Sequence, residues 1–366
     1  MKVSNLSLAL LTAVSSAQAK STIIEYSTVP GYFLQDEAAT DPSTFDFTAV
    51  NFGLIDRTYP ADHEKKNHYN DKTLTQWERF YHQVEKLNRD SDNDVEYKVL
   101  FLGRHGEGYH NAAESYYGTP AWNCYWAELN GNSTATWRDA VLTPNGIDQA
   151  LTAHDFWQKL IEEQKIHTPD DYYVSPLTRA LQTANYTFAG LDFPRDSAQF
   201  KPVVKELFRE GISIHTCDHR RSKSYIHKLF PKWHIEKHFT DEDELWNGVT
   251  SETSAAQDAR SAQALGEVFF SSSSKKHFFV SVTSHSGEIS SILRVVGHRS
   301  FRLSTGAVIP VLVKAEKKKV NDPPTTTTSI AWATEPHCTV PPVTSVSVCV
   351  CPSSAAPVTT PLVTGV

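Results

Sequence analysis

The stretch Gly103-Arg104-His105-Gly106-Glu107-Gly108-Tyr109-His110-Asn111 places a guanidinium and an imidazole among glycines. Glycine lets a backbone approach a ligand closely. Arginine offers a planar fork of donors that matches phosphate oxygens. A histidine near its ordinary pKa is a neutral nucleophile. Together these residue types point to phosphoryl transfer with His105 as the acceptor. Arg-His-Gly alone also recurs by chance, and the competing reading is a polar loop that caps a strand. Three further stretches carry groups suited to the same chemistry: Ser175-Pro-Leu-Thr-Arg179, Lys205-Glu206-Leu-Phe-Arg-Glu210-Gly211 and Ser284-His285-Ser-Gly287.

These groups need elements to position them, and the surrounding pattern supplies strands alternating with helices. Tyr97 to Gly103 is an apolar strand. Asn145 to Glu163 has Ile147, Ala150, Leu151, Trp157, Leu160 and Ile161 at helical spacing, with Thr143 or Asn145 as the cap. Strands follow at 172–174, 203–208, 277–283 and 307–314, and helices at 179–188, 254–270 and 289–296. This alternation predicts an α/β fold, a three-layer α/β/α sandwich around a mainly parallel sheet. Ligands in such sheets lie at the carboxyl ends of the strands, where the candidate residues fall. There is no internal repeat.

The ordered motifs resemble those of the histidine phosphatase superfamily, in its phosphoglycerate mutase-like branch. Arg-His-Gly-Glu-x-x-x-Asn ends the first strand, Leu142-Thr-Pro-Asn-Gly146 with Gln149-Ala150 matches the family's helix start, Ser175 to Thr183 its second arginine motif, and Ser284 to Gly287 its second histidine motif. Glu252-Thr253 with Arg260 is a fainter match. The resemblance covers roughly 96–315 and is nearest to fungal members sharing Arg-His-Gly-x-Gly-Tyr-His-Asn. The Arg-His-Gly-x-Arg-x-Pro of the acid phosphatase and phytase branch is absent.

The resemblance implies roles. His105 becomes a phosphohistidine, Arg104 and Arg179 clamp the non-bridging oxygens, His285 stabilises the developing charge, and Asn111 contacts phosphate. The family places its general acid after the third strand, where Glu206 and Glu210 both stand, and Glu210 is the nearer match. No metal and no cofactor is implied, because cationic side chains supply the electrostatics. Arg220, Arg221 and Lys223 are candidates for a second anionic group, with a solvated basic face as the alternative. Tyr109 and His110 are within reach of the same substrate.

The chain of 366 residues carries a formal charge of -7, which argues against a nucleic-acid partner but not against an anionic substrate in a locally positive pocket. Residues 1–19 read as a signal peptide: Lys2, an apolar stretch from Leu6 to Val14, and Ala17-Gln18-Ala19 as the cleavage site. That stretch is too short to span a membrane. Sequons at Asn132 and Asn185 agree with export to the medium or cell wall, each weakly. The chain then divides into an N-terminal extension packed on the domain (20–95), the catalytic domain (96–320) and a tail (321–366). Half of the tail is Ser, Thr or Pro and its only charged residues are Asp322 and Glu335, so it is expected to be disordered and to resemble an O-glycosylated stalk. The five cysteines leave one without a partner. Cys124 and Cys217 are candidates to pair, and no spacing resembles a zinc site.

The expected activity is phosphomonoester hydrolysis on a small phosphorylated substrate. The alternatives are a phosphoglycerate mutase and a non-catalytic protein that binds phosphorylated ligands. Export argues against the mutase, and retention of Arg104, His105, Arg179 and His285 argues against the non-catalytic reading.

Overall fold

The computed structural model describes residues 21–64, 74–195, 197–270, 277–320, 331–343 and 348–352. The expected signal peptide lies outside the described residues. In chain order the elements are β1 (Ser21–Thr28), α1 (Gln76–Arg89), β2 (Val95–Arg104), α2 (Tyr109–Tyr117), α3 (Thr119–Cys124), α4 (Pro144–Lys159), β3 (Asp171–Val174), α5 (Thr178–Phe188), β4 (Val203–Val204), α6 (Lys223–Leu229), β5 (His234–Ile235), β6 (Thr250–Glu252), α7 (Ser254–Val268), β7 (Phe279–Ser284), α8 (Ser286–Val295), β8 (Val308–Val320) and β9 (Trp332–Thr334).

Seven strands form one sheet in the order β1-β8-β2-β7-β3-β4-β5. The strands from β2 to β5 in that order run parallel, and β8 lies antiparallel to both β2 and β1. Val99 to Leu102 of β2 are buried on both faces, the continuous apolar run a central strand requires. Phe101 meets Trp77 of α1 and Trp157 of α4 at ring-centroid distances of 6.0 and 5.0 Å. Lys98 lies on the opposite face by strand alternation and reaches the Phe269 ring beyond α7. Helices thus cover both faces of a mostly parallel sheet, as the alternating pattern predicts.

Three expectations change. The strand expected over 203–208 stops at Val204, and Glu206–Phe208 form a short 3-10 turn. The physical reason is a competing set of partners: the Arg260 guanidinium collects the carbonyls of Leu207, Arg209 and Glu210, so the chain leaves the ladder. The extension, expected to pack on the domain, also adds a strand to its sheet and side chains to its core. β1 is an edge strand of the sheet, and Phe33, Phe52, Trp77 and Phe80 belong to the main core.

The third change concerns the cysteines and the tail. Cys124 pairs with Cys349 and Cys338 with Cys351, while Cys217 is a buried free thiol, so the Cys124–Cys217 pair does not form. Residues 331–343 and 348–352, in the segment expected to be disordered, carry β9 against β6 and three of the four bonded cysteines. Covalent tethers hold there what apolar burial could not.

Candidate active site

β2 and β7 are parallel neighbours with Arg104 opposite Ser284. The residues that follow, His105 and His285, therefore leave the sheet side by side, with ring centroids 4.9 Å apart. Ser175 directly follows β3 on the other side of β7, and its N–H donates to Thr283 C=O at 3.0 Å.

The His105 imidazole has a fixed tautomer. Its Nδ1 is 2.6 Å from the Gly106 carbonyl oxygen. A carbonyl only accepts, so Nδ1 carries the proton and Nε2 keeps its lone pair. The Nε of Arg179 lies 3.3 Å from that Nε2. Burial, reinforced by Arg179 and Arg104, holds the His105 pKa well below the usual histidine range. The result is a neutral imidazole with an available lone pair between two cations.

Arg179, 1% exposed, sits in the first turn of α5. Its Nη1 donates to the Cys217 carbonyl at 2.7 Å, and Asp218 faces it at 3.5 Å. Buried Asp139 accepts from the Thr178 backbone and hydroxyl at 2.8 and 2.6 Å, which fixes the start of that helix. Arg104 donates through Nη1 to the Leu303 carbonyl at 2.8 Å, and its Nε is buried without a partner.

The Leu142–Gly146 motif clamps the loop that carries His105. Thr143 caps α4 by accepting from Gly146 N–H at 3.1 Å and donates to the Glu107 carboxylate at 2.7 Å. Gln149 accepts from Glu107 N–H at 2.8 Å. A Cβ at Gly106 would lie 2.2 Å from the Gly146 carbonyl oxygen, so glycine is required for this approach.

His285 is the N-cap of α8, fully buried, with Nε2 2.7 Å from Ser175 Oγ and Nδ1 without a partner. Burial and then Arg179 depress its pKa well below the usual range. Glu210 lies at the same helix end. Its carboxylate accepts from Gly287 and Glu288 N–H at 3.1 and 3.0 Å, and a Cβ at Gly287 would approach it to 2.2 Å. Those amides favour the carboxylate, but burial, aided by Asp218, outweighs them and raises its pKa. Glu206 is elsewhere, bridging Arg209 at 3.0 Å and Arg220 at 2.8 Å. The Glu252–Arg260 match is also structural: Arg260 pairs with Glu252 and Glu288 at 2.8 and 3.1 Å and supports the 207–210 backbone.

Asn111 spends its Oδ1 on Gly108 N–H at 3.0 Å and lines a cleft of about 800 Å³ shared with Arg104. Arg220 is not available to a second anion. It is buried against Glu206 and donates to the carbonyls of Thr240, Asp241 and Glu242. Lys223 donates to Phe239 C=O, and Arg221 faces Asp139 at 3.9 Å. Ser175 and Thr183, whose Oγ1 accepts from Gly106 N–H at 3.0 Å, had no role of their own in the sequence. Both stand inside the recognised arginine motif, and Asp218 stands in Thr216–Arg221, the stretch after Glu210 that the sequence offers as a pocket lining. Among the described residues, His215, Cys217 and Asp218 come close enough to hold a metal, yet Arg179 beside Asp218 opposes a cation there.

Residues 100–309 match the family description "Histidine phosphatase superfamily (branch 1)". An Arthroderma benhamiae protein described as a probable phosphoglycerate mutase is 49% identical over 293 residues, covering 80% of this chain and 85% of its own. Candida albicans phosphomutase-like protein 3 is 39% identical over 226 residues, covering 62% and 68%. A Saccharomyces cerevisiae protein described as a probable phosphoglycerate mutase is 32% identical over 302 residues, covering 78% and 95%.

Proposed function

The chain belongs to the histidine phosphatase superfamily, and from that premise we propose that it is a phosphomonoester phosphatase working through a phosphohistidine on His105. The His105 Nε2 lone pair forms the N–P bond as the ester P–O bond breaks. Glu210, whose pKa burial raises, gives a proton to the leaving oxygen. Water then attacks phosphorus, Glu210 takes its proton, and the N–P bond breaks to release inorganic phosphate. Arg104 and Arg179 hold the non-bridging oxygens. Ser175, donating its hydroxyl proton to His285 Nε2, leaves the proton on Nδ1 to face the phosphoryl group.

The observation that carries hydrolysis over mutation is the charge of the adjoining cleft. Asp41, Glu107 and Glu114 line it against Arg104 and Arg302. A mutase must hold a bisphosphate and a carboxylate, which call for cations beyond those on the transferring group. Arg220 and Lys223 are engaged elsewhere. The cleft therefore suits a monoester with a neutral or cationic polar leaving group. The test is product analysis with a panel of phosphoesters. Inorganic phosphate should be released from aryl and amino-alcohol phosphates without a bisphosphate primer.

The descriptions of the fungal relatives favour a second reading, a phosphoglycerate mutase. Efficient, primer-dependent interconversion of phosphoglycerates with little phosphate release would establish it. We also propose export, supported by the two disulfides, which suit an oxidising compartment. The mature N-terminus should lie near Lys20, and an N-glycosidase should lower the apparent mass on a gel. An intact Met1 on a cytosolic protein contradicts export.

A further inference from the structure

Three imidazoles meet in the pocket, and one has no role in the mechanism above. His105 is bound to Gly106 and Arg179, and His285 to Ser175. His110, in the first turn of α2, is 8% exposed, and its Nδ1 is buried without a partner. Its ring centroid is 5.2 Å from that of His105, almost as near as the His285 ring at 4.9 Å. Glycine at 108 admits it, since a Cβ there would lie 2.6 Å from His110 Nδ1. A buried polar nitrogen left unpaired is unfavourable and needs an explanation. A packing role does not supply one, because a phenyl ring would fill the same space without the unpaired nitrogen.

We propose that His110 is a direct ligand of the transferring phosphoryl group, donating a hydrogen bond to a non-bridging oxygen beside Arg104, Arg179 and His285. Negative charge in phosphoryl transfer is spread over three equatorial oxygens, so a further donor has an acceptor to meet. A neutral donor adds to the clamp without another full charge beside the nucleophile. The ligand class is a tetrahedral dianion or its trigonal-bipyramidal transition state, for which orthovanadate is the probe. The inference rests on His105 as the phosphoryl acceptor and holds for hydrolysis or mutation alike.

The experiment compares wild type with His110→Phe and His110→Asn. It reads the inhibition constant of orthovanadate, kcat/KM on an aryl phosphate and the thermal midpoint. His110→Phe should weaken vanadate and lower kcat/KM, each by about 100-fold, the scale of losing one preorganised donor, with an unchanged or higher midpoint. His110→Asn, which keeps a donor, should recover part of both. Wild-type values for vanadate and turnover in His110→Phe overturn the proposal. If the phenyl ring is not tolerated, His110→Ala is read on the same two constants with the same outcomes. A wild-type protein that neither binds vanadate nor turns over phosphoesters refutes the His105 assignment itself, a result distinct from an active enzyme indifferent to residue 110.

Discussion

The Nε of Arg179 and the Nε2 of His105 stand 3.3 Å apart, so the guanidinium proposed to clamp the phosphoryl group also orients the imidazole proposed to attack it. Arg179 in turn is held by the Cys217 carbonyl at 2.7 Å. Lysine lacks both the Nε donor and the planar fork. Arg179→Lys should lower kcat/KM by about 100-fold or more, and His105→Ala should abolish turnover with the fold intact. Rapid quenching in alkaline detergent with a radiolabelled phosphoester should trap a base-stable, acid-labile phosphoenzyme in wild type only. Near-normal turnover of His105→Ala refutes the nucleophile.

The two glutamates after β4 should separate cleanly. Glu210→Gln removes the proton donor, so alkyl phosphates, with poor leaving groups, should lose more turnover than 4-nitrophenyl phosphate, by about 10- to 100-fold. Glu206→Gln instead breaks pairs with buried Arg209 and Arg220 and should cost about 3–5 kcal/mol of stability. Denaturant titration and leaving-group dependence together decide it. A leaving-group effect confined to the Glu206 variant would reverse the assignment.

The site was legible where chemistry restricts residue type. Arg104, His105, Arg179 and His285 gather at the ends of β2 and β7 and the start of α5, because each of their motifs sits at a strand end or a helix start, and Glu210 joins them through the amides that open α8. Hidden were contacts made through generic groups. The Cys217 carbonyl under Arg179 and the Gly287 and Glu288 amides under Glu210 depend on backbone, which any sequence provides. The apolar runs of β2 and β7 read clearly, because buried parallel strands have no polar alternation. The end of β4 did not, because Arg260, far along the chain, draws those carbonyls away. The disulfides were equally non-local, joining Cys124 across 225 residues to a tail whose composition reads as unfolded.

Activity should survive chelation. In the proposed mechanism Arg104 and Arg179 supply the positive charge at the transferring group, and a divalent cation beside them would be repelled. Incubation with EDTA should leave kcat/KM on an aryl phosphate within about twofold, since no step of this mechanism passes through a metal. Loss of activity restored by a divalent ion argues for a different mechanism.

Reduction should loosen the C-terminal strap before the catalytic core. Cys124 ends α3, and the Cys338 N–H donates to its carbonyl at 2.7 Å, so the strap is tied twice to one spot. Cys349→Ser should lower stability by about 2–4 kcal/mol. It should also expose residues 331–343 to limited proteolysis, while turnover on an aryl phosphate stays near wild type. Unchanged protease resistance would show that the strand pairing between β6 and β9 suffices without the bond.

Stability should fall in acid partly through the histidines of the pocket. Burial, then Arg179, holds His105, His110 and His285 well below the usual histidine pKa in the folded protein. Unfolded, each takes up a proton near pH 6.5. Above that pH neither state binds these protons and the histidines contribute nothing to the slope. Below it the unfolded chain binds protons that the folded chain refuses, so stability declines as pH falls. Glu288 works in the opposite sense. Burial raises its carboxyl to about 7 despite the Arg260 guanidinium, so the folded state holds a proton there that the unfolded state releases above its ordinary pKa. Raised Glu210 opposes the histidines in the same way. The total slope mixes these signs, so one histidine must be removed to isolate the effect. His110→Phe deletes one proton site from the unfolded chain alone. Below pH 6.5 its stability should decline less steeply than that of wild type, by up to about 1.4 kcal/mol per pH unit. Urea unfolding between pH 5 and 7.5 measures both slopes. Equal slopes would mean that His110 titrates alike in both states and is not held neutral by the pocket.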